Sequence, residues 1–336
     1  MPQTLKIAHL SLDSPFLLAP MAGFTDYAFR RICRRLGAGM VFTEMASVEG
    51  LRRRSPKTLH YLEAGKEEKP VSAHLYGADP AAFAEAAAVA ESLGIFDLID
   101  INTGCPVPKI TRRGAGTALL REPEKIAGIV RAVRSAAGLP VTVKTRPGAV
   151  PGHPRIREVL RAAEDGGAAA LIIHGRWARD RHGGEADWEI IGEIGEEAAV
   201  PVIGNGGIAS AADALDRLRR YRVGGVMIGR AAIGNPWIFT EAGALLEGRP
   251  FIPPTPAERF RVIAEHLEVL ARSKLEEARI RGRDPAGAGN AACREFYGHL
   301  VGYLYGIPGL GELRRKIAHL PDPETLLAAV ADLLKV

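Results

Sequence analysis

Up to about residue 250 the chain alternates between short apolar runs and longer amphipathic stretches. The runs are PFLLAP (15–20), MVFTEM (40–45), PVSAHLY (70–76), DLIDIN (97–102), PVTVKTR (140–146), AALIIHG (169–175), PVIGNG (201–206) and GGVMIG (224–229). They are apolar on both faces, as parallel strands covered by helices are. Between them lie helical stretches such as DPAAFAEAAAVAESLG (79–94), EPEKIAGIVRAVRSAAG (122–138) and SAADALDRLRR (210–220). Eight such units predict an α/β protein with a (β/α)8 TIM barrel over residues 1–248. A doubly wound open sheet is the alternative, but it needs an edge and usually has fewer units. At EGRPFIPPTP (247–256) the pattern breaks into a proline-rich connector, and residues 255–336 read as an all-helical second domain.

Composition narrows the class. Of 336 residues, 47% are hydrophobic and 25% charged, which suits a globular protein with a large core. Cys33, Cys105 and Cys293 lie far apart with no CxxC, against both a disulfide framework and a structural zinc site. No signal-like apolar segment and no run of about 18 apolar residues is present, so a cytoplasmic protein without membrane attachment is expected. The net charge of +5 mildly favours polyanions. Acidic and basic residues nearly balance in 255–336, so contact with nucleic acid there must come from clusters: Arg272, Lys274, Arg279, Arg281 and Arg283, or Arg314, Arg315 and Lys316. No G-x-G-x-x-G follows a strand, which argues against a separate nicotinamide domain, and no H-E-x-x-H or similar cluster suggests a metal.

Barrel chemistry gathers at the C-terminal ends of the strands. Here those ends hold Ala19, Pro20, Met21 and Ala22, Glu44, His74, Asn102 and Cys105, Lys144 and Arg146, His174 and Arg176, Asn205, and Gly229 with Arg230. The glycine-rich ends GNGG (204–207) and IGRA (228–231) suit a phosphate, since backbone amides at a helix start bind anions, though glycine pairs also simply make turns. Lys144 ends an apolar strand and needs an anionic or strongly dipolar partner, which a structural salt bridge would also supply. In HGR, His174 and Arg176 lie on one side of an extended segment and could serve one ligand; a satisfied buried imidazole is the plainer account. Cys105 sits in INTGCPVPKITRRGAGTALL (101–120), between glycine and proline and upstream of a basic loop. It is either a structural thiol or an acid–base group on a mobile loop that Gly114 and Gly116 allow to close.

These pieces carry a family. LAPMAGFTDYAFR (18–30), FTEM (42–45), DINTGCPVPKITRRGAGTALL (100–120), VTVKTRPG (141–148), IIHGR (172–176), GEADWEII (184–191), VIGNGGI (202–208) and MIGRAAIGNPWIF (227–239) together resemble the tRNA-dihydrouridine synthases, most closely their bacterial B-type branch. The resemblance implies a barrel holding flavin mononucleotide (FMN), reduced by NADPH, and a helical domain that binds tRNA. Pro20, Met21 and Ala22 would pass under the isoalloxazine, Lys144 would face its pyrimidine edge, and Asn205, Gly206, Gly207, Gly229 and Arg230 would hold the phosphate. His174 would join the cofactor site and Arg176 the substrate site. Family members usually carry glutamine where this chain has His74, which could still donate to a flavin carbonyl. The loop reads NGG where the B-type has NGD. Cys105 would be the general acid, Asn102 would meet the uracil edge, and Lys109, Arg112, Arg113, Arg314 and Arg315 would contact RNA. A monomer is expected. The rivals are a barrel acting on a free pyrimidine, which leaves the helical tail unexplained, an RNA-binding protein without catalysis, and an enzyme acting on ribosomal RNA.

Overall fold

The protein is described here from a computed structural model covering residues 4–181, 183–317 and 322–336. Its strands are β1 (Lys6–Ile7), β2 (Leu10–Ser11), β3 (Phe16–Leu18), β4 (Val41–Phe42), β5 (Ala46–Ser47), β6 (Val71–Tyr76), β7 (Leu98–Asn102), β8 (Val141–Thr145), β9 (Ala170–His174), β10 (Val202–Asn205) and β11 (Gly225–Ile228). From β3 onward they form one parallel sheet in the order β3-β11-β10-β9-β8-β7-β6-β4, with β5 beside the end of β6. Two backbone bonds join the ends of this path, Leu18 N–H to Met40 O (3.0 Å) and Gly39 N–H to Phe16 O (2.7 Å). The sheet therefore curls into a nearly closed barrel, and the open-sheet alternative falls away.

Around the barrel run α1 (Tyr27–Arg35), α2 (Val48–Arg52), α3 (Pro56–His60), α4 (Pro80–Ser92), α5 (Pro108–Thr111), α6 (Pro123–Ala136), α7 (Ile156–Gly166), α8 (Trp188–Glu197), α9 (Ala211–Arg220) and α10 (Ile238–Leu246). Their starts are written locally: Asp79 accepts from Ala82 N ahead of Pro80 in α4, and Ser210 forms a capping box with Asp213 in α9.

All eight expected strands are present. The antiparallel pair β1–β2 was not expected, because two-residue strands carry no readable period. Its neighbours Leu5, Ile7 and Leu12 join Leu17, Met40, Phe42, Leu98, Ile172, Ile203 and Met227 in an apolar core inside the barrel. Outward-facing alternates such as Phe16, Ala73, Ile101, Val143 and Leu171 pack under the helices. Farther along the strands the inward positions turn polar: His74, Asp100, Asn102, Thr142, Lys144 and Asn205.

The C-terminal region is helical, as expected: α11 (Pro256–Ile280), α12 (Ala288–Tyr303), α13 (Leu310–Ile317) and α14 (Pro323–Leu334). Thr255 and Glu258 form a capping box and Pro256 occupies the first turn, so the end of the proline-rich connector is itself a helix start. Ile263, Leu267, Phe296, Leu300 and Tyr303 form a core with Ala28 and Ile32 of α1. Arg35 donates to both oxygens of Glu265 (2.8 and 2.7 Å) across this junction. Asp26, His266 and His299 also meet there, with one ligand atom from each within 4.8 Å of the others. His266 Nε2 lies 3.9 Å from Asp26 Oδ1, wider than the roughly 3.4 Å between ligand atoms of a tetrahedral zinc. His299 donates from Nε2 to Phe24 O (3.0 Å), and burial, then the adjacent His266, push its imidazole down to about 3. Among the described residues no helix is long and apolar enough to cross a membrane.

One buried pair ties α1 to the barrel. Arg30 is 1% exposed and donates from Nε to Glu68 Oε1 (2.8 Å) and from a terminal nitrogen to Thr25 O (2.7 Å). Burial, only partly offset by Arg30, raises the Glu68 carboxyl above its ordinary value. Arg30→Met should cost about 3–5 kcal/mol in urea unfolding, because it strands a buried carboxylate, and adding Glu68→Leu should recover much of that loss.

Candidate active site

A cavity of about 400 Å³ opens at the C-terminal ends of the barrel strands. Its size suits a bound cofactor. Pro20, Met21, Ala22, His74, Asn102, Cys105, Lys144, His174, Arg176, Asn205, Gly206, Gly207, Gly229 and Arg230 all line it. The other expected residues lie outside. Lys109 (in α5) and Arg112 are exposed on the loop beyond Cys105, and Arg314 and Arg315 are exposed on α13.

Lys144, half-buried on β8, donates from Nζ to Asn205 Oδ1 (3.2 Å), and Asn205 donates from Nδ2 to Met227 O (2.7 Å). Burial brings the Lys144 ammonium down to about 8, against the pull of the Asp100 carboxylate. After β10 the chain turns through Gly206 and Gly207, at φ +114° and +71°. A Cβ on Gly206 would lie 2.8 Å from His174 Cδ2, so the close approach of this loop to His174 requires glycine. The IGRA loop enters a 3-10 turn (Arg230–Ala232), not the α-helix expected, and α9 starts only at Ala211. A half-buried ammonium, an exposed Arg230 and glycine backbone without side chains at Gly207 and Gly229 are the donor set an anionic cofactor needs. His174 Nε2 lies 3.3 Å from an Arg176 terminal nitrogen, so the HGR spacing does bring the two side chains together, while Arg176 Nε donates to Gly184 O (2.9 Å).

The Cys105 turn is pinned on three sides. Asn102 Oδ1 accepts the N–H groups of Gly104 and Cys105 (3.0 Å each), Cys105 O accepts Thr117 N–H (3.0 Å), and Gly104 O accepts Arg146 Nε (2.8 Å). The 2%-exposed Arg146 also donates to the carbonyls of Arg176 (3.1 Å), Trp177 (3.1 Å) and Arg181 (2.9 Å). Gly116, at φ +59°, is where a Cβ would sit 2.4 Å from Cys105 O. The glycine read as a device for loop closure thus permits a close approach instead. Burial pushes the Cys105 thiol up from its ordinary value, so it holds its proton at neutral pH.

His74 is placed differently from expectation. Its Nδ1 lies 2.6 Å from Asp100 Oδ2 and its Nε2 lies 3.1 Å from Asn102 Nδ2, so both ring nitrogens are engaged inside the protein. Asp100, at 0% exposure, also accepts from Thr142 Oγ1. Asp100 was not among the expected site residues, although in DLIDIN it stands two residues before Asn102 and hence on the same face. Four of the five cations in the expected cluster on and just past α11 are paired: Lys274 with Glu277 (2.9 Å) and Glu295 (2.6 Å), Arg279 with Glu276 (3.4 Å), and Arg272 and Arg281 with carboxylates one turn away, while Arg283 is exposed without such a pair among the described residues.

A nearly closed parallel barrel with an anion-suited cavity over its strand ends defines a cofactor-binding barrel enzyme. The dihydrouridine synthase (Dus) model matches residues 17–335. A probable tRNA-dihydrouridine synthase of Mycobacterium tuberculosis is 38% identical over 326 residues, covering 94% of this chain and 80% of its own length. The tRNA-dihydrouridine synthase B of Pseudomonas aeruginosa is 37% identical, with 97% and 94% covered. The chain belongs to the dihydrouridine synthase family, on its bacterial B-type branch. Histamine dehydrogenase from Rhizobium sp. 4-9 shares the fold at 15% identity (TM-score 0.57, 80% of this chain), and this chain spans half of that structure's length.

Gly116→Ala tests the pinned turn. Strain at positive φ together with the contact on Cys105 O should cost about 1–3 kcal/mol of stability. The rate of iodoacetamide capture at Cys105, read by mass, should change as the turn shifts.

Proposed function

We propose that this protein reduces specific uridines of tRNA to 5,6-dihydrouridine, using FMN held in the cavity, NADPH as reductant and Cys105 as proton donor. Family membership supports flavin-dependent reduction of a uridine in tRNA. The observation that carries the finer reading is a pinned, protonated thiol in the same cavity as Lys144 and the two glycine loops. Bound FMN, once reduced, would supply the hydride for carbon 6 of uracil. The residues of this chain do the rest. Pro20, Met21 and Ala22 line the cavity; Asn205, Gly206, Gly207, Gly229 and Arg230 would offer donors to the phosphate; Lys144 would place a cation where negative charge grows. His174 and Arg176 offer donors beside them. As the 5,6 double bond gains a hydride, carbon 5 takes the Cys105 proton, leaving a thiolate that solvent reprotonates. One hydride and one proton account for both new C–H bonds.

The uracil must leave its stack to reach the cavity, at a cost of a few kcal/mol. Residues 255–336 would act as the RNA-binding domain, and phosphate contacts from Lys109, Arg112, Arg314 and Arg315 would offset that cost. The protein would act as a monomer in the cytoplasm. A free pyrimidine would leave these exposed cations without a partner.

The purified protein should carry FMN, identified by mass after heat release. Cys105→Ala should retain it and be reduced by NADPH near the parental rate, while reoxidation by tRNA slows by about a hundred- to ten-thousand-fold. A colourless protein that takes up no FMN, or parental reoxidation by Cys105→Ala, would defeat this reading.

Lys144 sets a pH limb. With its ordinary value of 10.5 lowered to about 8, the ammonium is charged below pH 8 and lost above it. Reduction of the cofactor by NADPH should therefore slow as pH rises through 8. Lys144→Gln should be slower at neutral pH and lack that limb.

A further inference from the structure

The hydrogen-bond geometry around Asn102 assigns a proton. Its Oδ1 accepts two backbone N–H groups, so the amide cannot be turned over without leaving both donors unmet. Nδ2 is therefore the atom facing His74 Nε2 at 3.1 Å. An amide nitrogen only donates, so Nε2 must be the bare nitrogen of a neutral ring. The ring proton then lies on Nδ1, directed at Asp100 Oδ2, 2.6 Å away. Asp100 is held in turn by Thr142 Oγ1, and the His74 backbone N–H donates to Thr43 Oγ1 (3.0 Å).

We propose that Asp100 and His74 form a positioning pair for the reaction: they fix the Asn102 amide, and through it the backbone turn that presents Cys105. The proposal rests on Cys105 being the proton donor. The pair has a second consequence. With Oδ1 consumed and one Nδ2 hydrogen given to His74, Asn102 has one N–H left, now directed at Met45 Sδ at 3.7 Å. Sulfur is a weak acceptor, so a better one can displace it. The fixed amide offers the cavity a donor and no acceptor. That matches a pyrimidine carbonyl, as in the uracil whose edge Asn102 is expected to meet.

Charge supports the same arrangement. The groups facing the His74 ring are Asp100 and Asn102, and Asp100 is also the carboxylate that acts on Lys144. The Asp100 carboxylate is thereby shared between a proton donor on one side and a cation on the other.

Three measurements on the full-length holoprotein test the pair. Selective ¹⁵N-histidine labelling, assigned by the signal that disappears in His74→Gln, should show His74 as the Nδ1–H tautomer. His74→Leu should lower the turnover of uridine reduction by about tenfold, the scale of one lost hydrogen bond, with little change in KM for tRNA, and should alter the alkylation rate of Cys105. His74→Gln should restore both, because glutamine can donate to Asp100 and accept from Asn102. An Nε2–H tautomer, or a His74→Leu protein with parental turnover and alkylation, would overturn the proposal. If Cys105→Ala still reduces uridine at the parental rate, the donor assignment fails instead, and the tautomer and alkylation readings still decide whether the pair positions the turn.

Discussion

The Asp100 carboxylate is fully buried inside the barrel, and much of the site depends on how that charge is met. A carboxylate in such a place needs donors or a nearby cation. Asp100 accepts from Thr142 and His74, and it partly offsets the burial that lowers the Lys144 ammonium. One anion therefore orders two strands' worth of polar side chains on either side of it. Neighbouring parallel strands make this possible: register sets His74 beside Asp100 and Asn102 beside Lys144.

Below that layer the interior is apolar, and the change follows from the period of a strand. Leu98, Asp100 and Asn102 face the same way along β7, the first in the apolar core and the last in the cavity. The apolar layers make a rigid floor, so the polar groups above sit on elements that cannot yield. Arg146 extends that rigidity to the loops, since its guanidinium holds the Cys105 turn and the 176–181 segment with one group.

Much of this could be read from sequence. Eight apolar runs gave the barrel, and the strand-end rule found Lys144, Asn205, Cys105 and the glycine loops, because a strand's end and its inward face are local properties. What stayed hidden were partnerships between strands. Nothing local says that His74 will meet Asp100 and Asn102 and so keep no donor for a ligand, or that Asp26 of the α1 cap will meet His266 and His299 from helices far along the chain. The β1–β2 pair was too short for any period, and Gly116 looked like a hinge because glycine gives the same signal for flexibility as for close approach.

The same limit applies to charge. Counted along the sequence, α11 looked like a basic surface, yet Arg272, Lys274, Arg279 and Arg281 each meet a carboxylate three or four residues away on their own helix. The exposed pairs among them, Arg272–Glu268 and Arg279–Glu276, are worth about 0–1 kcal/mol and add little stability, while all four pairings reduce the net field that would attract a phosphate. Lys109, Arg112, Arg113 and Arg315 have no such pairing among the described residues, and Arg314 donates instead to the Tyr297 hydroxyl (3.2 Å). Three of these follow the Cys105 turn and two sit on α13. Among the described residues, exposed cations without such a partner thus lie beside the cavity and on α13, and also at Arg261 of α11 and at Arg283 just past its end.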